Sequence, residues 1–388
     1  MQMRLLRALP CAIALLVGVP AAAQETPLEI DAILPMTGQG AFIGKAEQQS
    51  LQVIEAVTNA SGGIKGRPIK FAVADDTSNP QVAVQLANAV IAKGAPIIVG
   101  PGLTAECMAI LPLVTRGPFT YCLAPGTHPP VGSFMFSANA GSNDLTHTWL
   151  RYMRSRGITR FAFMATTDAS GQDIGEQVDE ALAMPENKSL QLVSKQVFAP
   201  NDFSVNAQIQ NIKAARPQAL LVAANGSPFG TVLRGVHDAG LEIPVISPSS
   251  NMHAEQLAQY TSILPHELVF GSSRGAVYEP QADARVRRAQ SAFFDAFRKA
   301  GIAVNNGHCV PWDAVSILVD ALRHIGPNAT APQIKAYIDG VQNFVGIDGA
   351  YDFKAFPQRG VGEGATIMYL WNAAEKTYTI ASKPRGER

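Results

Sequence analysis

Apolar and polar positions along this chain keep alternating between two rhythms. Leu28-Glu29-Ile30-Asp31-Ala32-Ile33-Leu34 is a short, mostly apolar run and predicts a strand. Behind it Leu51, Ile54 and Val57 recur at the spacing of one helical face, and Ser61-Gly62-Gly63 closes that helix. Ile69 to Ala74 predicts a second strand. Pro80 fits the first turn of the next helix, whose Val82, Leu86 and Val90 share a face. Pro96 to Val99 is a third strand, a helix begins near Thr104, and Phe119 to Leu123 is a fourth strand. The rhythm then restarts. Strands at 161–164, 190–198, 219–222 and 244–246 alternate with helices at 175–182, 205–214 and 230–239. Alternation of this kind predicts parallel sheets covered by helices on both faces, and two runs of it predict two similar α/β lobes. Ligands in such sheets bind beyond the carboxyl ends of the strands, so two lobes place a site in the cleft between them.

The N-terminus does not fit this rhythm. Arg4 and Arg7 precede an apolar run from Leu9 to Val19, followed by Ala21-Ala22-Ala23. Basic start, short apolar stretch and small residues are the three parts of a secretory signal peptide, with cleavage expected after Ala23. The run is shorter than the ~20 residues of a membrane-spanning helix. Pro10 and the lack of an apolar stretch ahead of Cys11 argue against lipidation there.

Of 388 residues, 47% are hydrophobic and 16% charged, enough to bury a large core in about two domains. The 31 basic and 31 acidic residues balance, which argues against electrostatic capture of nucleic acid or an anionic membrane. Past the leader, the cysteines are Cys107, Cys122 and Cys309, without metal-like spacing. Cys107 and Cys122 flank one helix-to-strand connection, and an exported protein meets an oxidising compartment, so a disulfide between them is expected. The alternative is three buried thiols acting as small apolar residues. Asp75-Asp76 alone make a poor metal site, and a turn or cap suits them better. Dinucleotide, phosphate-loop and nucleophile-elbow motifs do not occur in a supporting context. His308-Cys309 has no third partner for nucleophilic catalysis. No enzymatic activity, cofactor or metal is expected.

Gly62-Gly63-Ile64-Lys65-Gly66-Arg67-Pro68-Ile69, with Asp75-Asp76 and Asn79-Pro80 after it, resembles the signature of the leucine/isoleucine/valine-binding family of periplasmic proteins. Gly38 to Gly44 is similar to the first cleft loop of that family, and Trp312-Asp313-Ala314 to its late Tyr-Asp-Ala helix element. The resemblance covers nearly the whole chain past the leader. It implies the type I periplasmic-binding fold, with three hinge crossings placed near 140–143, 272–276 and 360–366. Lobe one then holds 24–141 and 274–363, and lobe two holds 142–273 and 364–388. It also implies a monomeric solute-binding component that delivers its ligand to an inner-membrane ABC permease and ATPase. A ligand-sensing subunit of a receptor is the alternative output.

Thr104, after Gly100-Pro101-Gly102-Leu103, is placed to cap a helix whose unpaired N–H groups suit a carboxylate. The family uses a serine or threonine here to hold the ligand carboxylate. Ala124 and Thr127, in the next loop, would complete the cradle by the same resemblance. Phe42 is a candidate wall of the pocket, or else a core plug. Lobe two departs from the amino-acid binders. Ser170 stands where they carry an aromatic residue, and Asn225, followed by Gly226 and Ser227, where they often carry tyrosine. Ser247 to Asn251, with Ser249 facing the site, lacks their acidic partner for an ammonium. A buried ammonium without a partner costs several kcal/mol, so an α-amino acid is disfavoured unless Asp168 or Asp173 substitutes. The expectation is therefore an aromatic or similarly apolar carboxylate, with branched-chain amino acids and amides or urea as alternatives.

Overall fold

A computed structural model describes residues 26–388. The leader expected at 1–23 lies outside them. In the first half, β1 (Leu28–Leu34), β2 (Ile69–Asp75), β3 (Ile97–Val99), β4 (Phe119–Cys122) and β5 (Met135–Ser137) form an all-parallel sheet in the order β2-β1-β3-β4-β5. The helices α1 (Ala41–Ala60), α2 (Pro80–Ala92) and α3 (Thr104–Val114) connect its strands. β1 shows why the apolar run is nearly continuous. Ile30, Ala32 and Leu34 enter one core cluster and Ile33 enters the cluster on the opposite face. A parallel strand covered on both sides needs apolar residues on both sides.

After α4 (Ser142–Ser155), a second sheet begins. Its strands are β6 (Arg160–Thr166), β7 (Gln191–Phe198), β8 (Ala219–Ala223), β9 (Val245–Pro248) and β10 (Leu268–Ser273). They alternate with α5 (Ala169–Leu182), α6 (Asn206–Ala214), α7 (Ser227–Asp238) and the short α8 (Ala254–Ala258). Phe161, Phe163 and Ala165 of β6 face one core, and Ala162 and Met164 the other. The chain then runs through α9 (Ala284–Lys299), α10 (Asn306–Ile325), α11 (Ala331–Asp339) and the small hairpin β11 (Gln342–Val345) and β12 (Ala350–Asp352). Helices α10 and α11 pack into the core of the first sheet. Finally β13 (Thr366–Asn372) and β14 (Thr377–Ile380) return to the second sheet, giving the order β14-β13-β10-β9-β8-β6-β7. This pair is antiparallel, which the expectation of purely parallel sheets did not include.

Two helical stripes differ in detail from the sequence pattern. Asn79 caps α2 by accepting from the amides of Gln81 (2.9 Å) and Val82 (3.3 Å), with Pro80 in the first turn. Its innermost residues are Ala83, Ala87 and Val90, with Val82 and Leu86 half-buried beside them. Small residues occupy the line where α2 lies against its neighbours. On α1, Val57 is 46% exposed and Thr58 is buried in its place, because the stripe that begins at Ile43 and Glu47 continues through Leu51 and Ile54.

Candidate functional site

Loops leaving the carboxyl ends of β1, β3 and β4 meet those leaving β6, β8 and β9. The two sides touch: His128 Nε2 lies 2.8 Å from Asp173 Oδ1 and 3.1 Å from Ser142 Oγ. Between them is a cavity of about 60 Å³. Ile43, Leu103 and Leu123 line it from the first side, and Leu145, Trp149 and Ile174 from the second. Apolar walls with a few converging polar groups are the usual composition of a small-molecule site.

The first loop is pinned by Asp75. Its carboxylate accepts from the amides of Met36 (3.0 Å), Thr37 (3.2 Å) and Thr77 (2.7 Å) and from the Thr37 hydroxyl (2.7 Å). Slight desolvation opposes its charge, but the bonds from Thr37, Thr77 and Met36 outweigh that and hold the carboxyl below its ordinary range. Asp76 accepts from the Ser78 amide at 2.9 Å, and burial raises it to about 6. The pair is a structural turn.

Thr104 reaches the cavity, although Leu103 is the N-cap and Thr104 the first helical residue. No side chain caps α3, and the first amide bonded along the helix is that of Cys107, to Leu103 O at 3.0 Å. Of the preceding amides, that of Glu106 is held by its own carboxyl, which leaves those of Thr104 and Ala105 as the orphan donors of a helix start. Glu106 tempers this site: burial raises its carboxyl to about 7, so it is largely uncharged at lower pH. Ala124, Pro125 and Gly126 form the adjoining wall. Behind them the half-buried Arg359 donates to the carbonyls of Pro125 (3.2 Å) and Thr127 (2.7 Å), so a guanidinium underlies the cradle.

Thr127 itself is buried beneath the wall. Its hydroxyl is 3.2 Å from Cys122 Sγ, and Cys122 is bonded to Cys107 in a disulfide with Cα atoms 6.0 Å apart. A disulfide sulfur has no proton, so the hydroxyl is the donor. Cys309 is a buried free thiol.

On the second side, Asn225 Nδ2 donates to Ser170 Oγ (2.6 Å) and Ser250 Oγ donates to Asn225 Oδ1 (2.5 Å). Ser170 therefore accepts from Asn225 and keeps its own proton for a ligand. Ser170, Asn225, Ser249 and Ser250 all line the cavity. Gly226 does not. Its φ of +66° and its position against Gln39 O of the opposite loop make it a contact between the two sides. Asn251 holds it there, accepting from the Gly226 amide at 2.9 Å. Ser227 is exposed at the start of α7. Phe42 is half-buried and off the wall, which Ile43 supplies instead, one helical step away.

Three ionisable groups belong to the lining: Glu47 and His253, which motif reading did not find, and Asp173, which it offered only as a substitute partner for an ammonium. Glu47 is fully buried, with both carboxylate oxygens unpartnered. His253 is 2% exposed with Nε2 unpartnered, and burial lowers it to about 4. Asp173 turns a buried, unpartnered Oδ2 away from its bond to His128. The absence of an acid between Ser247 and Asn251 therefore does not leave the cavity without carboxyls. A sequence signal for Glu47 existed: it sits four residues from both Ile43 and Leu51, on the apolar stripe of α1.

A family model described as periplasmic binding protein matches residues 27–376. The Leu/Ile/Val-binding protein homolog 3 of Brucella melitensis is 21% identical over 244 residues, 61% of this chain and 65% of that relative, so the chain matches just under two thirds of its length. The homolog 1 of Brucella abortus is 23% identical over 348 residues, 87% of this chain and 88% of that relative. The fold is similar to an extracellular ligand-binding receptor of Rhodopseudomonas palustris HaA2, with TM-score 0.79 at 18% identity, covering 92% of this chain and all of that one. It is also similar to the branched-chain amino acid transporter substrate-binding protein LivJ of Streptococcus pneumoniae, solved with isoleucine. There the TM-score is 0.76 at 18% identity over 93% of this chain and 97% of that one. These are solute-binding proteins, not enzymes. With two helix-flanked sheets, a cleft at their strand ends and a family match over almost its full length, the chain belongs to the periplasmic binding protein family, among the type I members of the leucine/isoleucine/valine-binding group.

Proposed function

We propose that this chain is exported by a signal peptide cleaved after Ala23 and acts as the solute-binding component of an ABC importer. It would close its two lobes over a small carboxylate and present it to the membrane permease and ATPase. The observation that carries this reading is the cavity between the two sheets. Its walls are apolar, and one edge has the uncapped start of α3 at Thr104 facing the hydroxyl of Ser170. A carboxylate at that edge meets orphan amides, the Thr104 hydroxyl and the positive end of a helix dipole. Arg359 behind the 124–127 loop supports the same sign of charge. Hinges at 140–143, 272–276 and 360–366 would allow the lobes to open.

An aromatic acid is the first reading of the ligand. The ring would lie against Trp149, Leu145 and Ile174 rather than Phe42. Burying apolar area contributes roughly 25 cal/mol per Å² before ordering costs. An apolar amino acid is the second reading, favoured by the carboxyls of Glu47 and Asp173 in the lining. A thermal-shift screen of protein lacking residues 1–23 tests both, because a ligand that binds only the folded state raises the melting temperature. The panel contains benzoates, cinnamates, branched-chain amino acids, short amides and urea. Aromatic acids should stabilise the protein, and Thr104→Ala should weaken them by about 1.5–3 kcal/mol, the cost of losing a hydrogen bond to a charged group. Stabilisation by leucine or valine alone would select the second reading. A response to amides alone would reject both.

A further inference from the structure

At one end of the cavity, two polar side chains point at nothing. Glu47 is 0% exposed and neither carboxylate oxygen has a partner. Its placement is tight: a Cβ on Gly102 would stand 2.4 Å from Glu47 Oε2. Only glycine there lets the carboxyl lie against the loop that leads into α3. His253 is 2% exposed. It has a hydrogen bond to the Ser250 backbone, and its Nε2 is unpartnered. A neutral imidazole that donates through one nitrogen accepts through the other. Nε2 is therefore an acceptor. The two groups are neighbours in the fold. A Cβ on Gly307 would meet Ala46 Cβ at 2.7 Å and His253 Cε1 at 2.8 Å, so His253 lies against the turn of α1 that carries Glu47.

Buried polar atoms are nearly always paired, and an unpaired acceptor costs about 1–3 kcal/mol. Two unpaired groups together in the wall of the cavity between the two sheets indicate partners that arrive with the ligand. Resting on the reading of this cavity as the solute site, we propose that Glu47 and His253 form the subsite for a hydrogen-bond-donating substituent of the solute, a hydroxyl or an ammonium. The ligand is then a carboxylate with an apolar body and a second, donor-bearing polar group. Specificity for that group resides in α1 of the first lobe and the segment after β9. Burial, with the nearby Asp76 carboxyl, holds the Glu47 carboxyl well above its ordinary range, so a hydroxyl can donate to Nε2 of His253 and accept from a protonated Glu47. An ammonium instead requires Glu47 to ionise.

Two probe pairs isolate the donor: 4-hydroxybenzoate against benzoate, and leucine against 4-methylpentanoate. Affinities are measured by calorimetry on the full chain without residues 1–23. In at least one pair the donor-bearing member should bind tenfold or more tightly than its twin. Glu47→Ala and His253→Ala should each reduce that ratio several-fold, and the double variant should bring it to about one. Thr104→Ala should weaken both members of a pair equally. Glu47→Gln separates the sources: a hydroxyl preference survives it, whereas an ammonium preference collapses with the charge. Equal binding within both pairs overturns the subsite, and so does a preference that persists in the double variant. If none of the four probes binds, the apolar-carboxylate reading above fails, and the ligand-free melting temperature of Glu47→Gln decides the subsite on its own. A carboxyl awaiting a ligand group can be replaced with no loss of stability, or with a gain. A fall of several degrees would show that Glu47 has a structural partner and would refute the proposal.

Discussion

Gly226→Ala separates lobe closure from ligand contact, because Gly226 touches the opposite lobe without lining the cavity. Its backbone, at φ 66° and ψ −133°, belongs to a region that residues with a side chain rarely adopt. Strain of this kind costs about 1–3 kcal/mol in open and closed forms alike. At about 2–4 °C per kcal/mol for units of 150–250 residues, the ligand-free melting temperature should fall by several degrees. A second effect arises only on closure. The new Cβ would stand 2.0 Å from Gln39 O and 3.1 Å from Gln39 C. Normal contact needs more than an ångström of extra separation between the lobes at that point. A closed state penalised by a further ~1.4–3 kcal/mol lowers apparent affinity by roughly ten- to a hundredfold, since binding is discounted by the population of the competent form. The assay is calorimetric titration with whichever screened compound most raises the wild-type melting temperature, paired with small-angle scattering with and without it. The variant should keep the ligand-free radius of gyration, bind weakly and fail to compact. An unchanged dissociation constant, with normal compaction, would show that the 226 loop does not meet the 39 loop in the liganded protein.

Other expectations follow from the same contacts. His128→Ala removes the 2.8 Å bridge to Asp173 across the cleft. The His128 side chain is 46% exposed, so about 0.2–1 kcal/mol is at stake. Affinity measured by titration should drop by no more than about fivefold, and a loss above tenfold would assign His128 to the ligand itself. Replacing both Cys107 and Cys122 by serine opens a loop with a sequence separation of 15, which should cost about 3 kcal/mol in urea unfolding. It should also weaken carboxylate binding, since Thr127 rests on the bridge; unaltered stability in the serine variant would argue that the bridge does not form. Burial raises Glu106 from 4.5 to about 7, so the folded chain holds a proton that the unfolded chain releases. That carboxyl therefore costs stability progressively as pH rises from about 4.5 to 7, on the order of 3 kcal/mol in full. Asp76 and Asp313, both raised by burial to about 6, act in the same sense, while His253 and His308, lowered by burial to about 4 and about 3, act oppositely up to about pH 6.5. Relative to wild type, Glu106→Gln should gain stability in urea between pH 5 and pH 8, and a constant difference across that range would refute the assignment.

The order of elements, and the loops that meet in the cleft, were readable from sequence because they rest on local rules. A run such as Phe161 to Met164 cannot be amphipathic, so it must be covered on both faces, and that alone specifies a helix-flanked strand. Pro80 and Asn79 mark a helix start by chemistry confined to a few neighbouring residues. By the same logic Thr104, Ala124, Ser170, Asn225 and Ser249, each just beyond a strand, could be placed at the cavity. Tertiary packing decided what lies between them. Phe42 and Ile43 differ by about 100° of helical rotation, and only the docking of α1 determines which of them faces the ligand. Glu47 resembles a misplaced residue in the stripe Ile43–Leu51 until the cavity gives it a purpose. Trp149 and His253 come from segments more than a hundred residues from Glu47 in sequence and have no local signature. Their convergence depends on how two separately folded sheets face one another, and no pattern within either sheet encodes that.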